Sequence, residues 1–148
     1  MIINDRVYGE VEVDEPVLLE LMDSGPVKRT MGIMQFSPAG TIGYPYPSYT
    51  REEHGMGVML LLKKLGASLE EQIKGLIHDI PHLAMAHIGE WALGHRSEDY
   101  HDTRFEKVVM DSEIPEILER NSQNLERILS DDGFDLLVVW SDSAAHQS

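Results

Sequence analysis

His78 and Asp79 stand side by side in the run Leu76-Ile-His-Asp-Ile-Pro-His-Leu-Ala-Met-Ala-His87, and His54 lies upstream in Arg51-Glu-Glu-His54. An imidazole and a carboxylate are ordinary nitrogen and oxygen ligands for a divalent transition metal. Four of the seven histidines (His54, His78, His82 and His87) lie upstream of or within this one apolar stretch. A helix that merely covers a core has no use for them there, so the segment reads as a metal site first and as structure second. The chain has no cysteine. Disulfides and thiolate zinc sites are therefore excluded, and any ion must be held by nitrogen and oxygen.

The elements that carry these residues follow from caps and breakers. Thr50, with Glu53 completing a capping box, opens a helix that runs to about Leu65 and ends at Gly66. Ser68 and Glu71 repeat the device for a helix reaching His78-Asp79, which Pro81 stops. With so short a connection the two helices run antiparallel, and the start of one meets the end of the other. His54 then falls level with His78 and Asp79, and three ligand groups converge from two helices. Taken singly, His54 reads as readily as a half-buried helix residue, and Asp79 as a helix-end carboxylate. Taken together they read as ligands.

Elsewhere Val7–Val13 alternates as a short strand, and Asp14 caps a helix with Pro16 in its first turn, running to about Asp23. Further helices are expected over about Val27–Gln35, Leu83–Leu93, Ser97–Met110, Ile114–Glu119 and Leu125–Leu129. Residues 36–50 are dense in Pro, Gly and Tyr and form a loop, in which Tyr46 could stack a base. The expected fold is an all-α single domain with a short N-terminal strand.

The spaced set resembles the HD-domain metal-dependent phosphohydrolases, and among them the deoxynucleoside-triphosphate triphosphohydrolase-like branch. The block Arg51-Glu-Glu-His54-Gly-Met-Gly-Val58 is similar to that branch's Arg-Phe-Glu-His-Ser-Leu-Gly-Val, and His82 and His87 follow Asp79 at the branch's spacing. The resemblance covers roughly residues 27–110. It implies an HD-type helical bundle in which His54, His78 and Asp79 ligate a divalent ion of iron, manganese, cobalt, nickel or magnesium. It makes His82 and His87 catalytic or phosphate-contacting groups, Glu90 the acidic partner of a catalytic histidine, and His101 that histidine. Arg51 and Gln35 would grip phosphate and base, although Arg51 reads nearly as well as a helix-surface ion-pair partner. The implied chemistry is hydrolysis of a nucleotide or other small phosphate ester by a metal-activated water, with a histidine protonating the leaving oxygen.

One departure stands out. The family closes its metal site with a second Asp from a later helix, and the tail Phe134–Ser148 has no such pattern. Asp142 is the nearest carboxylate, so residues 1–148 read as a single HD-type domain, truncated or altered after about Leu137. The alternative function is a non-catalytic HD-fold protein that binds metal or nucleotide at an incomplete site. A third reading is an acidic helical interaction protein with incidental histidines.

Charge narrows the partners. Twelve basic residues against 26 acidic ones give a net charge of −14, a field that repels duplex DNA or RNA at long range. A small anion still fits, because a bound ion reverses the local sign. No apolar run is long enough to span a membrane, and Met-Ile-Ile-Asn-Asp-Arg is no signal sequence, so a cytoplasmic protein is expected. The apolar run Leu136–Trp140 is a candidate homo-oligomer contact.

Overall fold

Thr50 and Ser68 cap their helices as their sequences dictate, and those two helices frame the rest of the molecule. The computed structural model describes residues 1–35, 49–83, 100–130 and 134–136, with the backbone alone at 100–103. Its elements are two strands, β1 (Ile2–Asp5) and β2 (Gly9–Glu12), and the helices α1 (Pro16–Asp23), α2 (Gly25–Arg29), α3 (Arg51–Lys64), α4 (Leu69–Ile77), α5 (Tyr100–Met110), α6 (Ile114–Arg120) and α7 (Leu125–Leu129). A 3-10 turn over Thr30–Gly32 follows α2. The chain is thus mostly helical with a small N-terminal sheet, in keeping with a small HD-like domain.

In both capping boxes the hydroxyl accepts the backbone N–H of the residue three positions on, and that residue's carboxylate accepts the cap's own N–H. Gly66 ends the α3 segment at φ +78°, a conformation that costs glycine nothing. Replacing Thr50 with alanine removes one partner of the box that fixes where α3 begins. The expected loss is about 1 kcal/mol, read from the urea midpoint at unchanged m-value.

The core forms where α1, α3, α4, α6 and α7 turn their apolar faces inward. Leu18, Leu21, Leu60, Ile73, Ile77 and Leu118 are each fully enclosed. Every such side chain contributes roughly 1.5–3 kcal/mol relative to exposure. α3 and α4 form an antiparallel pair whose backbones approach closely at Gly55, opposite the Leu76 carbonyl, while Gly75 makes room for the side chains of Val58 and Leu62. Glu71 Oε1 also accepts the Leu136 N–H at 2.7 Å, tying residues 134–136 to the start of α4. Leu136 itself is exposed; residues 137–140 lie outside the described region.

Several expectations need correction. The single strand over Val7–Val13 is a hairpin, β1 paired antiparallel with β2 in the register Ile2 to Glu12 and Asp5 to Gly9. Val7 lies in the turn, because Asp5 Oδ1 accepts the N–H groups of Val7 and Tyr8 and closes the chain there. α1 starts after Glu15 without a side-chain cap, so Asp14 does not cap it. The helix expected to reach Gln35 stops at Arg29. Beyond the 3-10 turn, Ile33 O accepts the Arg51 N–H at 2.8 Å and the Gln35 N–H donates to Tyr49 O at 2.9 Å. Pairing with residues 49–51 replaces helix. α4 ends at Ile77, one residue before His78. Most of the helix expected at Leu83–Leu93 lies outside the described residues. Among the described residues, no helix is long and apolar enough to cross a membrane.

Candidate metal centre

α3 begins at Arg51, so His54 sits in its first turn, while His78 and Asp79 follow directly on the last residue of α4. Antiparallel packing brings these two ends together. One ligand atom from each of His54, His78 and Asp79 lies within 4.8 Å of the others. His54 Nε2 is 3.7 Å from Asp79 Oδ2, and His78 Nε2 is 3.4 Å from Asp79 Oδ1. The two imidazoles meet edge to face with centroids 5.2 Å apart.

The protonation states suit ligation. His78 Nδ1 lies 2.8 Å from the Gly75 carbonyl. A carbonyl can only accept, so Nδ1 carries a proton and Nε2 is the ring nitrogen that faces the cluster. Burial pushes the His54 pKa down, and the attraction of Asp79 only partly opposes it, with His78, Arg51 and His82 adding to the lowering. His54 is accordingly a neutral donor near pH 7. Burial alone would raise the Asp79 carboxyl. A hydrogen bond from His82 and the charges of His78 and Arg51 outweigh that and hold it well below the usual carboxylate range.

Asp79 is the centre of the arrangement. Arg51 Nη1 donates to its Oδ2 at 2.6 Å, and His82 Nε2 lies 3.3 Å from its Oδ1. The Arg51 and Asp79 side chains are 5% and 6% exposed, and that of His82 is 1% exposed. His54 and His78 keep 30% and 28%. The carboxylate is therefore locked from behind while both imidazoles face an approach from solvent. Two imidazoles and one ionised carboxylate, open on one side, form a donor set that suits a divalent ion of the first transition row.

The other expected site residues fall into two groups. Gln35 pairs through its backbone with Tyr49, whose ring centroid is 6.5 Å from that of His54. Its Oε1 is buried without a hydrogen-bond partner among the described residues. Arg51 is neither a surface ion-pair partner nor an exposed group; it is enclosed on Asp79. Tyr46, His87, Glu90 and Asp142 lie outside the described residues, as does the side chain of His101, whose backbone belongs to α5. Arg29 was missed altogether. Its Nη2 donates to the carbonyls of Ile80 and His82, the latter at 2.9 Å. A lone arginine in Val-Lys-Arg-Thr carries no signal in sequence that would have marked it.

The chain is similar in sequence to several curated proteins. The chain is 44% identical over 132 residues, 89% of its length, to YdhJ of Bacillus subtilis, an uncharacterized protein. It is 34% identical over 142 residues, 95% of its length, to cns2 of Cordyceps militaris, which is named a metal-dependent phosphohydrolase. It is 30% identical over 102 residues to the bovine deoxynucleoside triphosphate triphosphohydrolase SAMHD1, covering 59% of this chain and 17% of that protein. The chain spans 40% and 41% of the lengths of the first two. No family model matches it. With the His54, His78 and Asp79 cluster in place, the relatives named for phosphohydrolase activity support placing the chain in the HD-domain phosphohydrolase superfamily, and the cluster fits it.

Proposed function

We propose that the chain carries the metal centre of a phosphohydrolase that cleaves a nucleotide or other small phosphate ester with an activated water, within one HD-type domain. The observation that carries this reading is the convergence of His54, His78 and Asp79 from two helix ends. These three side chains would hold a divalent ion of iron, manganese, cobalt, nickel or magnesium. Such an ion, when bound, polarises a phosphoryl oxygen and acidifies water toward neutral pH. The chain's own residues set the stage. The Gly75 carbonyl keeps a His78 proton on Nδ1, and Arg51 and His82 fix the orientation of the Asp79 carboxylate, one at each oxygen. Arg51 Nε is buried without a hydrogen-bond partner among the described residues, a donor left over once Nη1 is taken by Asp79.

In the same reading Arg51 grips phosphate while Gln35 and Tyr46 take the base. His82, His87, Glu90 and His101 serve proton transfer to the leaving oxygen, and Asp142 is the candidate fourth ligand. The relative named a deoxynucleoside triphosphate triphosphohydrolase supports a nucleotide as the first substrate to try.

The test is metal analysis of the purified protein, followed by assay of phosphate, pyrophosphate and triphosphate released from a nucleotide panel with manganese. Release by the wild type that His78→Ala abolishes is the expected result. A tightly bound ion with no release from any nucleotide or simple ester would sink the hydrolase reading and leave a binding protein.

A further inference from the structure

Arg29 lies outside the ligand cluster yet grips the stretch of chain that carries it. The α4 helix ends at Ile77, and the next residues descend through turns in which the Ile80 N–H donates to Ile77 O at 3.1 Å and the His82 N–H to Asp79 O at 3.2 Å. A helix end leaves backbone carbonyls without intrahelical partners, and Pro81 brings no N–H of its own. The carbonyls of Ile80 and His82 both turn toward Arg29, and the two hydrogens of Nη2 satisfy both.

The His82 whose carbonyl is held this way is the residue whose imidazole is enclosed against Asp79 Oδ1 at 3.3 Å. Arg29 also begins a short strap. Four residues on, Ile33 O accepts the Arg51 N–H at 2.8 Å, and Met34 then bridges to Thr50. Residues 29–33 therefore grip the end of α4 with one guanidinium and the start of α3 with one carbonyl. These are the two chain ends that bring His78-Asp79 and His54 together. Arg29 is exposed as a whole residue, while its guanidinium end reaches the two carbonyls, and partial desolvation lowers its pKa.

Resting on the metal-centre reading above, we propose that Arg29 is the positioning residue that sets where Asp79 and His82 stand against His54. It touches neither ion nor substrate. It acts through two backbone carbonyls, and its planar fork makes lysine an imperfect substitute.

The experiment measures manganese affinity by titration calorimetry, and the visible spectrum of the cobalt-loaded protein, for the wild type, R29A, R29K and R120A. The last is a control that removes a surface pair with Glu20 away from the cluster. R29A is expected to weaken manganese binding about 10- to 100-fold, the usual effect of losing a group that orients a ligand, and to shift the cobalt bands. R29K should recover part of the affinity, and R120A should match the wild type in both readouts. Purely structural damage would lower the melting temperature of R29A and R120A alike while leaving the cobalt spectrum of the folded fraction unchanged, and that result overturns the positioning role. So does wild-type affinity in R29K, which keeps the charge and carries the test by itself should R29A fail to fold. A wild type that takes up no manganese removes the metal-centre reading itself, whereas tight wild-type binding with indifferent Arg29 variants removes only this role.

Discussion

Asp79→Ala is expected to lower the stability of the fold by about 3–5 kcal/mol, the usual cost of stripping one partner from a buried ion pair. Arg51 is 5% exposed and donates to Asp79 at 2.6 Å, so the substitution leaves an enclosed guanidinium facing a void. His82 loses its carboxylate contact at the same time. For a domain of this size the melting midpoint should fall on the order of 10 °C. Replacing both members with apolar residues, as in R51M/D79L, removes the orphan charge and should recover most of that loss. It should not recover metal uptake, since the carboxylate is gone. The pair of variants thus separates what Asp79 does for the fold from what it does for the ion. A melting temperature for D79A equal to that of the wild type would mean that the enclosed pair contributes nothing, contrary to its burial.

The second large effect is expected at the crossing of α3 and α4. A Cβ at Gly55 would stand 2.7 Å from the Leu76 carbonyl oxygen, and backbone can yield only if the helices part. Overpacking of this kind costs about 1–3 kcal/mol, while alanine's better helix propensity returns roughly 1 kcal/mol. Gly55→Ala should therefore be destabilising on balance. It should also loosen manganese binding, because parting the helices carries His54 away from His78. Gly75→Ala is the comparison. Its Cβ would meet Leu62 Cδ1 at 2.5 Å and Val58 Cγ1 at 3.0 Å. Both are side-chain ends, and Leu62 Cδ1 in particular can rotate aside. Near-neutral stability and retained affinity are expected for G75A, read by denaturant melts and calorimetry. Unchanged stability and manganese affinity in G55A would show that Gly55 does not set the spacing of the ligands.

What was legible in the sequence was local. Thr50 with Glu53 and Ser68 with Glu71 announced two helix starts because a capping box satisfies backbone donors within four residues. A short loop then forced an antiparallel pair, and that pair placed His54 opposite His78 and Asp79. What was not legible depended on partners far along the chain. Residues 33–35 leave the helical period because residues 49–51 pair with them, and no periodicity announces that. The hairpin register rests on Asp5 capping its own turn and on Gly9 at φ +70°, and β1 itself carries no alternation of apolar and polar residues. Arg51 reads in sequence as a phosphate grip or, nearly as well, as a helix-surface ion-pair partner; its burial follows only once Asp79, 28 positions later, is folded against it. Gly55 and Gly75 look like weak points in two helices, and their use appears only when a facing helix comes within reach.

The central claim is that His54, His78 and Asp79 hold one divalent ion, and a manganese titration of metal-stripped protein tests it most directly. The wild type should bind about one ion per chain, and His54→Ala and His78→Ala should each weaken that binding by about 100-fold or more. Both imidazoles are partly exposed, at 30% and 28%, so their loss should leave the helical circular dichroism signal intact. Binding of unchanged stoichiometry and affinity in both histidine variants would contradict the account.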